Sequence, residues 1–314
     1  MKSENADEFD DPSRSLAVRT AQLPQYRDSA AAMELFLDAI HEDGRSLQRA
    51  TNVPGTVKWA DGTEIAAENF SYFVARKKAL EDEFLAELSD RIGAPKAKEF
   101  CVTIAGDWFS GTKGRRGPRV GGLKAAIRSY LVPLLRSAAL ESVVILAQQD
   151  LPAATFSAQD VARILQLNHE LLYKHLEAWK DSHPNARRLS SDDIFLRRGL
   201  GLDKPFEDHD IYREMDFINS YSLAFSSPEK FAQMQKHKVP TIINGDLALF
   251  EERVLFFSPF IPDMEVGQLE FGVIPALKQL PLKDHGVHGG ISEYQLAPRP
   301  FDDEHSTPPD WGDL

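Results

Sequence analysis

Cysteine is nearly missing from this chain of 314 residues: Cys101 stands alone. A single thiol closes no internal disulfide, so nothing here depends on an oxidising compartment. Its setting, Phe100-Cys101-Val102-Thr103-Ile104, is apolar. That suits a buried structural thiol, because reactive thiols need electropositive, partly open surroundings. Long apolar runs are missing too, and none approaches the ~20 residues that span a bilayer. The N-terminus has no basic segment leading into an apolar stretch, so neither a membrane span nor a cleavable signal is expected. The expectation is a cytoplasmic chain, or one delivered without a cleavable signal peptide. Positive charge is in deficit: Lys and Arg number 36 against 48 Asp and Glu, for a net charge of −12. Such a surface repels phosphate and disfavours nonspecific nucleic-acid binding by the whole chain. Also absent are the G-x-x-x-x-G-K-[ST] loop, a G-x-G-x-x-G turn after a strand, and the G-x-S-x-G elbow with its triad.

What remains is 42% hydrophobic, enough to bury a core. The first half reads as helical. Met33, Phe36, Leu37 and Ile40 fall at helical spacing within 29–50. Phe70, Phe73, Val74, Leu80, Phe84, Leu85 and Leu88 make one stripe along 66–92, closed by Gly93 and Pro95. Residues 123–149 read as helical with a kink or break at Pro133, and Ser157 with Asp160 opens a helix through Trp179 as a capping box. After about residue 185 the texture changes to short strand-like runs at 194–196, 241–244, 253–257, 269–274 and 292–296, punctuated by Gly and Pro, with one helix over 228–236. The organisation read from this is a polar tail (1–28), a helical domain (29–185), a strand-rich domain (186–299) and an acidic tail (300–314). The fold class is α+β, a helical N-terminal domain followed by a compact, mostly antiparallel β domain.

One stretch carries the opposite charge. Lys113, Arg115, Arg116, Arg119, Lys124 and Arg128 occur with no acid between them, interleaved by Gly111, Gly114, Gly117, Gly121 and Gly122. A Gly/Arg-rich loop over 110–124 leading into a helix is either a solvated loop or a cradle for an anionic partner, through backbone N–H groups and guanidinium charge. Trp108 and Phe109 beside it either stack on a base or anchor the loop to the core.

Three segments further on carry chemistry. Asp193-Ile-Phe-Leu-Arg-Arg-Gly-Leu200 is an apolar strand ending in Arg-Arg-Gly. Asp216-Phe-Ile-Asn-Ser-Tyr-Ser-Leu-Ala-Phe225 precedes a helix. His288-Gly-Gly-Ile-Ser-Glu-Tyr-Gln-Leu296 is a glycine turn feeding a strand with one acid. In this order the segments resemble the mono-ADP-ribosyltransferase toxins and their NAD-degrading relatives, over roughly residues 190–298. The resemblance implies a β domain of ADP-ribosyltransferase type, NAD+ as substrate, no metal, and cleavage of the nicotinamide–ribose bond. ADP-ribosyl transfer to an unknown protein or nucleic-acid acceptor, or hydrolysis, would follow, in a toxin or effector. It assigns Arg198, with the adjoining Gly199, to the pyrophosphate, which a guanidinium matches bidentately. Ser220, Tyr221 and Ser222 would shape the nicotinamide pocket. Glu293 would stabilise the ribosyl cation.

Two other acids compete with Glu293. Gln268-Leu-Glu270 before an apolar strand resembles the Gln-x-Glu pattern of Rho-modifying members, and Glu252 precedes another strand. Ile291 stands where arginine-modifying members carry a second Glu, so arginine is not the expected acceptor. Asp284, His285 and His288 fall short of the three or four ligands a zinc site needs. The alternative function is a noncatalytic adaptor that docks its helical half and presents Lys113, Arg115, Arg116 and Arg119 to an acidic surface.

Overall fold

The computed structural model describes residues 47–48, 56–59, 64–66, 68–109, 115–134, 146, 149–182, 195–207, 210–223, 226–234, 237–264, 269–277, 280–288 and 290–296. Both tails, most of the helix expected within 29–50, the boundary near 185, and Lys113 and Gln268 lie outside these residues; Leu47–Gln48, inside that expected helix, is a strand. A small antiparallel sheet comes first, of β1 (Leu47–Gln48), β2 (Thr56–Trp59) and β3 (Glu64–Ala66).

Helix α1 (Glu68–Ile92) buries Phe73, Leu80, Phe84, Leu88 and Ile92, the stripe read from the sequence. Gly93 ends it in a left-handed conformation (φ 88°), which glycine adopts without a Cβ penalty. Pro95, however, does not stop the helical path. It sits in the first turn of a new helix, α2 (Ala94–Val102), where a missing N–H costs nothing. A π-helical turn, Thr103–Trp108, follows. Helix α3 (Pro118–Leu134) starts earlier than expected, so the second half of the Gly/Arg stretch is helical, and Pro133 falls in its last turn. Gly121 and Gly122 serve packing there: a Cβ on Gly122 would stand 2.7 Å from Thr155 Cγ2, and one on Gly121 2.7 Å from Pro152 Cγ. Helix α4 (Ala158–Ser182) carries the reciprocal cap, Ser157 N–H to Asp160 Oδ2 at 2.8 Å and Asp160 N–H to Ser157 Oγ at 3.0 Å.

The second half forms one sheet: β4 (Phe195–Leu202), β5 (Ile211–Tyr212), β6 (Asn219–Ser222), β7 (Val239–Asp246), β8 (Val254–Phe257), β9 (Glu270–Val273), β10 (Leu280–His288) and β11 (Ile291–Leu296). Their order is β5-β10-β11-β7-β4-β6-β9-β8, antiparallel throughout except for β11 beside β7. Helix α5 (Ser226–Met234) packs on β4 and β7. The chain is therefore α+β.

Helices and sheet share one hydrophobic core. Phe73 meets Phe257 edge to face at 5.3 Å, and Phe84 stacks on Phe260 at 6.0 Å. Polar ties reinforce the seam. Lys77 Nζ donates to the carbonyls of Ser258 (3.1 Å) and Ile261 (2.6 Å), and Asn168 Nδ2 donates to Leu255 O (2.8 Å). Cys101 is buried at this seam, and burial pushes its thiol up to about 12, an inert group.

Gly199 is the tightest contact between α5 and the sheet: a Cβ there would lie 1.8 Å from Pro228 O and 3.0 Å from Ala232 N, both backbone atoms. Such atoms move only if the whole helix moves. Gly199→Ala should therefore destabilise the fold by about 1–3 kcal/mol or more, measured by urea denaturation. Unchanged stability would mean that α5 is not seated on β4 in solution.

Candidate active-site cleft

Strand β4 pairs with β7 along its whole length, from Phe195↔Asp246 to Leu202↔Val239. On its other side it meets β6 through one register pair, Arg197↔Ser222. Beyond that pair the strands part, while β6 stays paired with β9 from Ser222↔Glu270 to Asn219↔Val273. The sheet is split between β4 and β6, and a cleft of about 430 Å³ opens there. Its walls include Arg197, Arg198, Gly199 and Leu200 from β4, Ser220, Tyr221 and Ser222 from β6, Glu270 from β9, Phe231 from α5, and Phe109 and Arg115 from the helical half.

Glu270 is the buried acid of this cleft, 4% exposed. Its backbone N–H donates to Ser258 Oγ at 2.9 Å, and Ser220 Oγ–H donates to its Oε1 at 2.6 Å. Burial raises its pKa above the ordinary glutamate value; the Ser220 hydrogen bond and the Arg115 charge offset part of that rise. Arg198 Nη1 donates to Asn219 Oδ1 at 2.8 Å, and its Nη2 lies 3.9 Å from Asp216. Burial disfavours its charge, but Tyr212, Tyr221, Glu214 and Asp216 around it more than compensate and hold its pKa above the ordinary arginine value.

Of the residues singled out in the sequence, Arg198, Gly199, Ser220, Tyr221 and Ser222 meet in this cleft. Two of them also carry the fold. Gly199 admits helix α5. Tyr221 is 1% exposed, with its ring 4.5 Å from Phe250 and its hydroxyl donating to Glu214 Oε1 at 2.8 Å. Glu214 also accepts from Arg253 Nη1 (2.6 Å) and the Ala276 N–H (2.7 Å). Tyr221 is thus a floor tied into the core, lying 5.7 Å beneath the Arg198 guanidinium, and not a free stacking ring.

Glu293 does not reach the cleft. It sits on β11 opposite Ile242 of β7, is 2% exposed, and is separated from β4 by the whole of β7. Two strand spacings put that backbone about 10 Å from β4. Glu252 lines a different hollow, between α3, α4 and residues 274–277. The acid beside the Ser-x-Ser strand is Glu270, and the signal for it was the Gln-x-Glu pattern. Sequence reasoning missed the contribution of the helical half. Arg115 donates its Nε–H to Trp108 O at 3.1 Å and lies over the Trp108 ring at 4.2 Å. Trp108 is therefore both an anchor and a stacking partner, but for an arginine. Arg119 pairs with Asp107 at 3.1 Å, and Arg116 is exposed. Among the described residues, no group of three or more His, Cys, Asp or Glu is placed to hold a metal ion.

No family model, curated protein or solved structure matches this chain.

A glutamate whose folded pKa is raised makes the folded state bind the extra proton. The stability linked to Glu270 is then fully present below its unfolded value and is lost as pH rises through the folded value. Glu270→Gln should remove that loss, so the variant should melt higher than the wild type at neutral pH and converge with it in acid. Thermal melts across pH 4–8 check this; a variant less stable than the wild type at neutral pH and equal to it in acid would show that the ionised carboxylate supports the fold.

Proposed function

We propose that this cleft binds NAD+ and cleaves its nicotinamide–ribose bond, passing ADP-ribose to an as yet unidentified acceptor or to water. In that reading the β domain is of ADP-ribosyltransferase type. The observation that carries it is the meeting of Arg198, Ser220 and Glu270 from three neighbouring strands, β4, β6 and β9, in one cleft. The resemblance in the sequence requires these residue types to converge, and the strand order supplies a reason why they do. A volume of about 430 Å³ is within the usual range of small-ligand sites.

The chemistry follows from the residues. Arg198 meets the pyrophosphate with charge-assisted hydrogen bonds. The C–N glycosidic bond breaks and its electron pair goes to the pyridinium nitrogen, which neutralises the leaving nicotinamide. Positive charge develops on the ribose, and a carboxylate fixed beforehand in a water-poor site stabilises it. Glu270 fills that role, with Ser220 fixing the carboxylate through the 2.6 Å hydrogen bond. The acceptor attacks the ribosyl carbon and loses a proton. A role as toxin or effector rests on the habits of the resembling family. The adaptor alternative has less support: Arg115 turns into the cleft and Arg119 is held by Asp107, which leaves fewer free cations for an acidic partner.

Nicotinamide release from NAD+ tests the assignment. Glu270→Gln should lower turnover by about 100-fold or more while the dissociation constant for NAD+ stays within a few-fold. Glu293→Gln, checked for folding by circular dichroism, should keep most of the turnover. Equal turnover in Glu270→Gln and wild type would remove Glu270 from the mechanism, and a wild type that neither binds NAD+ nor releases nicotinamide would remove the proposal.

A further inference from the structure

Among the described residues of the Gly/Arg stretch, Arg115 enters the cleft, and the way it is held points to a ligand. The π-helical turn Thr103–Trp108 ends α2 with Trp108 buried at 3% exposure and its carbonyl turned toward Arg115. Short π-helical turns of this kind occur often at functional sites. Stacking on the indole at 4.2 Å and the Nε–H bond at 3.1 Å fix the plane of the Arg115 guanidinium. Its two terminal nitrogens then take no hydrogen bond and no ion pair among the described residues, although the side chain lines the cleft.

We infer that Arg115, seated on Trp108, is a second diphosphate-binding cation of the cleft, so that the helical half completes a ligand site whose other wall is β4. The inference rests on the proposed reading for the identity of the ligand as NAD+, but its anion chemistry stands on this geometry. A guanidinium fork held by stacking and by its Nε loses little freedom when it binds, and its Nη1/Nη2 edge suits phosphate oxygens. Arg198 lines the same cleft from β4, with one nitrogen on Asn219. Two forks lining one cleft suit an anion with oxygens on two centres, which a diphosphate provides and a lone carboxylate does not. Burial lowers the Arg115 pKa; the Glu270 charge offsets part of that fall, and Arg198 adds to it.

The test is calorimetric titration of the whole chain with NAD+, with nicotinamide riboside, which lacks phosphate, and with inorganic pyrophosphate. Wild type, Arg115→Gln, Arg115→Lys and Arg198→Gln are compared, with melting curves for each. Arg115→Gln should weaken NAD+ and pyrophosphate by about 10- to 100-fold and leave the riboside unchanged. Should the Gln variant not fold, Arg115→Lys is the one read: it keeps the stem and charge but loses the fork, so pyrophosphate should weaken by several-fold. Unchanged pyrophosphate affinity in a folded Arg115 variant, or an equal loss for the riboside, would overturn the inference while leaving the proposed function standing if Arg198→Gln still weakens NAD+. Pyrophosphate binding that depends on Arg115, in a protein that releases no nicotinamide, would support the diphosphate site and sink the proposed reaction. A wild type that binds neither NAD+ nor pyrophosphate would overturn both.

Discussion

Strands β4 and β6 share a single register pair, Arg197 with Ser222, and then part. A sheet normally continues its ladder, because backbone groups left off it lose their partners. Here both strands are secured on their far edges instead: β4 by eight consecutive pairs with β7, and β6 by four with β9. Each half of the sheet is thus stable without the seam, and the seam is free to open. The cleft, the approach of α5 over Gly199, and the exposure of Arg198 beside Ser220 all follow from that opening. A fully zipped β4–β6 pair would set Gly199 opposite Ser220 and close the cleft.

The opening leaves a carboxylate in a poor place for a charge. Glu270 is buried, and water reaches little of it. One serine donates to its side chain and another receives its backbone N–H. Those bonds fix the group without fully compensating the desolvation, which is why its pKa is raised. The core below shows the contrast. Glu214 is as deeply buried, but it accepts from Tyr221, Arg253 and the Ala276 N–H together. A fully partnered acid has no capacity left for a ligand. A partly partnered one retains some, at a cost in stability, which is the trade found at functional sites.

Element types were legible because the local signals agree with one another. The stripe from Phe73 to Leu88, the Ser157–Asp160 cap and the short runs after 190 each took the form their spacing implied. Boundaries slipped where one residue type has two local uses. Pro95 read as a stop but opens a helix, and Pro118, inside the stretch read as a loop, opens another, since proline suits a first turn. Adjacency was harder. The order of Arg, Ser-x-Ser and acid along the chain does not say which acid comes next in space. Strand β11 runs parallel to β7 on the far side of β4, and β9 comes back beside β6. That choice is made by non-local pairing, which no short motif encodes, and it carries Glu293 away and brings Glu270 in. Arg115 was harder still: a basic Gly-rich stretch looks solvated until a neighbouring indole is known to hold one of its arginines.

The continuity of the core gives that arginine its meaning. A loop cation on a hinged domain would wander by more than the ~0.5 Å that a preorganised site tolerates. The segment bearing Arg115 leads directly into α3, whose buried face belongs to the same core as β8 and β9. Phe73 against Phe257, Lys77 on the 258–261 carbonyls and Asn168 on Leu255 lock the helices to the strand next to the one bearing Glu270. Helices and sheet therefore cannot part without exposing the large aromatic cluster around Phe257 and Phe260, at about 1.5–3 kcal/mol per buried aromatic ring. The positions of Arg115 and Arg198 are tied to this packing. Changes at the seam far from the cleft, such as at Phe73 or Lys77, act on the spacing of Arg115 and Arg198 through that shared core.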